Sequence, residues 1–319
     1  MLEREEAIAR MNELGARGIP FFFFTDFLGH RCLIQPLDEI NPSVLRFAID
    51  QPAAKDRKPA FHFKKHPLTQ AQFHGPFRYV VEQINYGNSY LVNLTFKTTI
   101  ETNLSLADIY ELSRAKYKLL YQDQFVVFSP ETFVKIADGR IYSYPMKGTI
   151  DASLPNAEAQ ILNDPKETAE HVTIVDLIRN DLSQIASEVQ VSRFRFISEV
   201  KTHEKKLLQV SSEITGKLPA DYHQTLGSMF FQLLPAGSIS GAPKKETVHI
   251  IETAETYDRG FYTGVCGLFD GKDLDTGVMI RFIEKEGDQL YYKSGGGITS
   301  FSDEAREYQE IIDKIYLPI

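Results

Sequence analysis

Apolar residues along this chain fall into short solid runs, alternating runs and helical repeats, and each pattern predicts an element. Phe21-Phe22-Phe23-Phe24 is a solid block suited to a buried strand and far too short to span a bilayer. Phe125-Val126-Val127-Phe128 reads the same way. Val134 to Ala137 and Ile141 to Tyr144 flank Asp138-Gly139, a strong hairpin signal. From Ala169 to Leu182 the apolar positions repeat helically. Asp164 suits the N-cap of that helix, Pro165 its first position, and Glu167 the acid of a capping box. A second helix is expected to open near Pro243 and run past Ile251. Gly264 to Phe269, Gly277 to Ile283 and Leu290 to Lys293 read as consecutive strands, and Ser302 to Tyr316 as a closing helix. The order mixes hairpins and helices without regular βαβ units. It predicts an α+β fold, a single large domain of mainly antiparallel sheets with surrounding helices. No clean linker divides the second half, so residues 1–319 are read as one domain.

Composition narrows the partners. A 43% hydrophobic, 12% aromatic chain of 319 residues has ample material for a packed core. A net charge of -8 argues against nucleic acid, whose phosphates need a basic surface. The most basic stretch, Lys55 to Lys65, also holds acid, Pro and His and reads as a solvated connector. Met1 to Leu14 is charged and helix-like, without the apolar core of a signal peptide. The two cysteines, Cys32 and Cys266, lack CxxC spacing, which disfavours a cysteine zinc site and points to a reducing, cytoplasmic setting.

Several constellations could carry chemistry. Lys147 lies in Pro145-Met146-Lys147-Gly148-Thr149, where Pro and Gly restrict the backbone. A lysine held this way can act as nucleophile, base or carboxylate clamp; a solvated lysine beside a hairpin is the plainer alternative. A two-residue loop at Asp138-Gly139 would set Glu131 opposite Met146, and a three-residue loop opposite Lys147. The pair would then be either a cross-strand ion pair or an acid beside a nucleophile. Glu167 and Glu170 share one helix face, as do Glu307 and Glu310. Each pair alone resembles an ordinary helix surface, and Glu310 has Lys314 at i+4. If the two helices converge, four carboxylates make an all-oxygen set suited to Mg²⁺. Two small-residue loops, Pro235 to Lys244 and Gly295 to Thr299, offer backbone N–H groups to small anions but match neither nucleotide-binding pattern. Arg281, placed within an apolar strand, is a further anion clamp.

Taken in order, the motifs resemble the chorismate-utilising enzyme family, which includes anthranilate, aminodeoxychorismate, isochorismate and salicylate synthases. They are Ser129-Pro130-Glu131, Pro145 to Thr149, Glu170-His171 with Ile174 to Asp181, Ala236 to Lys244, and Gly295 to Ile298 before Glu307-Tyr308-Gln309-Glu310. The match runs from about Phe77 onward, with residues 1–76 a variable part of the same domain. The resemblance implies that Glu131 is the general acid for the departing C4 hydroxyl. It implies that Glu170 and Glu310 bind Mg²⁺ directly, with Glu167 and Glu307 acting largely through water. Tyr262, Arg281, the Gly295, Gly296 and Gly297 backbone and Lys314 would hold the substrate carboxylates. Gly148, Thr149 and Ser240 would form the pocket wall.

Within the family, Lys147 resembles the lysine of aminodeoxychorismate synthases, whereas anthranilate synthases carry alanine there. The resemblance implies that a neutral Lys147 attacks C2 and ammonia then adds at C4. Leu91 stands where aminating members usually have Gln and where isochorismate and salicylate synthases have lysine, which argues against water as nucleophile. Gln209 stands where salicylate synthases have His, which argues against pyruvate elimination. Gly264-Val265-Cys266-Gly267-Leu268 lacks the spacing of a glutaminase nucleophile turn, so Cys266 is expected in the core and ammonia is expected from a separate glutamine amidotransferase subunit. The expected reaction is Mg²⁺-dependent amination of chorismate at C4 to 4-amino-4-deoxychorismate, on the path to 4-aminobenzoate and folate. The alternatives are anthranilate synthase, isochorismate synthase and a non-catalytic chorismate-binding protein.

Overall fold

The computed structural model describes residues 1–51, 60–201 and 206–319, apart from the side chains at 147, 149, 166, 200, 201 and 207. Among the described residues, two antiparallel sheets of ten and eight strands pack through a shared aromatic layer, with helices outside. Phe21–Thr25 lies between Arg31–Pro36 and Val265–Phe269 in the larger sheet. Its period-2 alternation explains why all four phenylalanines are buried. Phe22 and Phe24 enter the layer between the sheets, beside Phe125 and Phe282 of the smaller one. Phe21 and Phe23 point the other way, into a core shared with the helices. The expected α+β, mainly antiparallel fold is present, and residues before 77 supply strands to both sheets. No helix among the described residues is long and apolar enough to cross a membrane.

The hairpin forms as a two-residue turn. Asp138 and Gly139 both have positive φ, 49° and 73°, and Arg140 pairs with Ala137. The expected ladder between Glu131 and Lys147 does not form. Pairing ends at Lys135 with Tyr142, and Met146–Asp151 pairs instead with Lys206–Lys217. Pro145 has no N–H to extend the first ladder, and its carbonyl accepts from Ser212 N at 3.0 Å.

Two further expectations need correction. Gly277 to Ile283 is not one strand. Leu274–Val278 belongs to the larger sheet and Phe282–Glu286 to the smaller. Arg281 sits in the break with φ 52°, where the chain changes sheets. Within Lys55 to Lys65, residues 55–59 lie outside the described residues. Phe63–His66 is a strand on Leu91–Thr102, not a connector. Lys65 Nζ donates to the Ile312 carbonyl at 2.7 Å, capping the end of the closing helix Glu304–Asp313.

The expected acidic helix is Pro165–Ser183. The Asp164 carboxylate accepts from Glu167 N at 2.9 Å, and Pro165 occupies the first turn. Buried His171 anchors this helix to the strand Lys206–Lys217 through Ser212 Oγ at 2.7 Å.

Candidate active site

The chain passes from one sheet to the other twice at the same place. Phe125–Ser129 lies in the smaller sheet and Thr132–Ala137 in the larger, so Pro130-Glu131 is one crossover. Met279 to Arg281 is the other. They run side by side: Val278 N donates to the Glu131 carbonyl at 3.0 Å, and Phe128 N to the Arg281 carbonyl at 3.1 Å. An acid and a guanidinium are thus fixed by backbone bonds at the seam of the two sheets.

The loop from Leu233 to Lys244 forms one wall. Ser238 Oγ donates to Glu131 Oε1 at 2.7 Å. Lys244 Nζ donates to the Leu233 carbonyl at 2.7 Å and pairs with Asp181 of the acidic helix at 2.9 Å. Burial holds the Asp181 carboxyl above its ordinary range despite Lys244. Ser240 Oγ donates to the Ala236 carbonyl at 2.9 Å, and the Ser240 carbonyl accepts from Asn93 N at 2.9 Å. Gly241, at φ 135°, lies so near the Leu91 carbonyl that a Cβ would sit 1.8 Å from its oxygen. Leu91 itself is buried in the core. Behind this wall, Arg259 bonds the Ile239 and Asn93 carbonyls and pairs with Glu255 at 2.6 Å, both side chains 2% exposed. Sequence reasoning missed this pair, because Glu255 and Arg259 at i,i+4 look like any surface helix pair. A cavity of about 20 Å³ beside Glu131 is lined by Ser238, Gly237, Asp181, Tyr144, Phe133 and Leu233, among others.

The glycine-rich strand supplies the floor. Gln289–Ile298 pairs with Leu91–Thr102, placing Gly295, Gly296 and Gly297 opposite Thr95, Leu94 and Asn93. A Cβ on Gly296 would lie 3.6 Å from Glu307 Oε2, 3.8 Å from Glu310 Oε1 and 3.9 Å from Lys314 Nζ. These three side chains therefore gather over one glycine. Ser302 Oγ donates to Glu307 Oε1 at 2.7 Å, while Lys314 Nζ pairs with Glu310 at 2.6 Å and donates to the Gly295 carbonyl at 2.9 Å. Arg281 Nη1 donates to the Lys314 carbonyl at 3.1 Å, and its guanidinium lies over the Tyr316 ring. Arg281 Nε and the Tyr292 hydroxyl are both buried without a hydrogen-bond partner. The guanidinium and the hydroxyl still interact with each other electrostatically. Buried donors left this way are costly and suit an incoming acceptor such as a carboxylate. Tyr262 is buried against Phe282, and burial pushes its hydroxyl above the ordinary range.

Lys147 and Thr149 lie on Met146–Asp151, and their side chains are outside the described residues. Their backbone pairs with Val210 and Gln209, with a register shift between them at Gly148. Gly148 has φ 78°, and a Cβ there would lie 3.0 Å from Glu167 Oε2. Glu167 thus abuts the lysine's own turn. Among the described residues, no three His, Cys, Asp or Glu side chains are grouped to hold a metal. Like charges repel, and Glu310 takes its counter-charge from Lys314. The all-oxygen donors and the room over Gly296 nevertheless fit a hard cation chemically. Both cysteines are buried, and burial pushes each thiol up to about 12, which makes them inert as nucleophiles.

Comparison with known proteins places this site in context. A model described as chorismate binding enzyme matches residues 30–318. A Haemophilus influenzae chain described as an uncharacterised PabA-like protein is 48% identical over 315 residues, 98% of this chain and 96% of that one. Aminodeoxychorismate synthase component 1 of Salmonella typhimurium is 33% identical over 264 residues, 78% of this chain and 57% of its own length. Anthranilate synthase component I of Streptococcus pneumoniae is similar in structure, with TM-score 0.68 and 28% identity over 80% of this chain and 59% of that one. The chain therefore spans little more than half the length of these two relatives.

Proposed function

Because the chain belongs to the chorismate binding enzyme family, we propose that it aminates chorismate at C4 to 4-amino-4-deoxychorismate, for 4-aminobenzoate and folate synthesis. The observation that carries the choice of C4 is the lysine at 147, in the turn whose Gly148 abuts Glu167. As the Lys147 nitrogen bonds C2, the ring double bonds shift and the C4–O bond breaks. The departing oxygen takes the Glu131 proton and leaves as water. Ammonia then bonds C4 and the lysine leaves C2, so two easier steps replace one hard displacement. Arg281, Tyr262, Lys314 and the Gly295 to Gly297 backbone hold the substrate carboxylates, while Gly148, Thr149 and Ser240 shape the wall. Glu167, Glu170, Glu307 and Glu310 would hold Mg²⁺, which when bound supplies positive charge for a carboxylate. With both thiols buried and inert, ammonia comes from a separate glutamine amidotransferase subunit.

A second reading, anthranilate synthesis, is favoured by the structural likeness to anthranilate synthase component I. The test incubates the chain with chorismate, Mg²⁺ and ammonium and identifies the product by chromatography. The expected product is 4-amino-4-deoxychorismate, and anthranilate as the main product would overturn the proposal. Glutamine-dependent turnover by the pure chain would overturn the separate-subunit reading.

A further inference from the structure

We infer that Ser238 is a positioning residue that selects which oxygen of Glu131 delivers the proton. The inference rests on the reading of Glu131 as general acid. A carboxylic acid has two oxygens, and only one carries the proton. Ser238 Oγ donates to Oε1 at 2.7 Å, so Oε1 is engaged as an acceptor and Oε2 is the oxygen left to carry the acid's proton. When the substrate C4–O bond breaks, its electron pair stays on oxygen, which takes the Oε2 proton and leaves as water. The carboxylate left behind keeps the Ser238 hydrogen bond, which strengthens as charge develops on its acceptor. The bond thus favours the charged state formed during the reaction over the neutral state before it.

The surroundings make this a fixed arrangement. Ser238 is flanked by Gly237, against Leu177 and Asp181, and by Ile239, whose carbonyl is held by buried Arg259 at 2.9 Å. On the other side, Glu131 N donates to Ser129 Oγ at 3.1 Å, and its carbonyl is held by Val278 N. Both ends of the Ser238–Glu131 bond are therefore anchored through their own backbones, on separate elements. The adjoining cavity is lined by Phe133, Val134, Ile178 and Leu233 together with the polar Tyr144 and Asp181.

The test follows chorismate consumption with Mg²⁺ and ammonium in the full chain, so it does not depend on which carbon is aminated. Ser238→Ala should lower kcat about tenfold to a hundredfold while KM for chorismate stays within about twofold, the pattern of an interaction made in the transition state. Ser238→Thr keeps the hydroxyl and should restore most of kcat. In a Glu131→Gln background, Ser238→Ala should cost almost nothing further, whereas a merely structural role would add its full loss. Unchanged kcat in Ser238→Ala, equal losses in the Ala and Thr variants, or additive losses in the double variant would each overturn the inference. Full activity in Glu131→Gln would overturn it too, by removing the acid. Anthranilate as product would instead overturn the proposed function and leave the Ser238 result standing.

Discussion

The two walls of the site are built in opposite ways. The loop from Leu233 to Lys244 is tied down at both ends and from behind: Lys244 to Asp181, Gly241 against Leu91, and Arg259 to the Ile239 carbonyl. The facing segment, Met146–Asp151, is held by a ladder to one strand, interrupted at Gly148. In the proposed mechanism the first wall orients the general acid, Glu131, through Ser238. The second carries Lys147, to which the proposal gives the choice of carbon. On that reading the step shared by the aminating enzymes belongs to the loop, and the discriminating step to the strand.

Substitutions can break this contrast, and the largest effect falls on the second wall. Lys147→Ala should lower C4 amination by about a thousandfold or divert it to C2, within the usual range for losing a nucleophile or base. Unchanged product formation by chromatography would remove the lysine from the chemistry. Glu131→Gln should lower kcat by about 10² to 10⁴-fold for every product, since it removes the proton itself. Selective loss of one product would show that the acid is not shared.

Arg259→Met tests the first wall from behind. It leaves Glu255 buried without its counter-charge, at a cost of about 3–5 kcal/mol in urea unfolding. A cost under about 1 kcal/mol would mean that the loop is held without this pair. Gly148→Ala has the smallest expected effect, about 1–2 kcal/mol of backbone strain at φ 78°. The added methyl also crowds Glu167, so half-saturation by Mg²⁺ should move several-fold higher, and an unmoved Mg²⁺ dependence would detach Glu167 from the metal.

Local patterns were legible where local physics decides. Asp138-Gly139 specified its own turn, and the phenylalanine block specified a strand buried on both faces. Arg281 was misplaced because Gly277 to Ile283 is uniformly strand-like, and only the three-dimensional change of sheet breaks it. The ladder between Glu131 and Lys147 failed for a reason visible in hindsight, since Pro145 cannot donate to it. Glu255 and Arg259 were invisible because burial is a property of the fold: the same i,i+4 pair on a surface would be nearly worthless. Glu307, Glu310 and Lys314 were each named from sequence, yet their gathering over Gly296 depends on the register of the glycine strand.

The central claim is that Lys147 directs nitrogen to C4. The most direct measurement compares the products of the parent chain and Lys147→Ala, each given chorismate, Mg²⁺ and ammonium. The account predicts 4-amino-4-deoxychorismate from the parent, and its loss or replacement by a C2-aminated product in the variant. The same C4 product from both proteins at similar rates would contradict it.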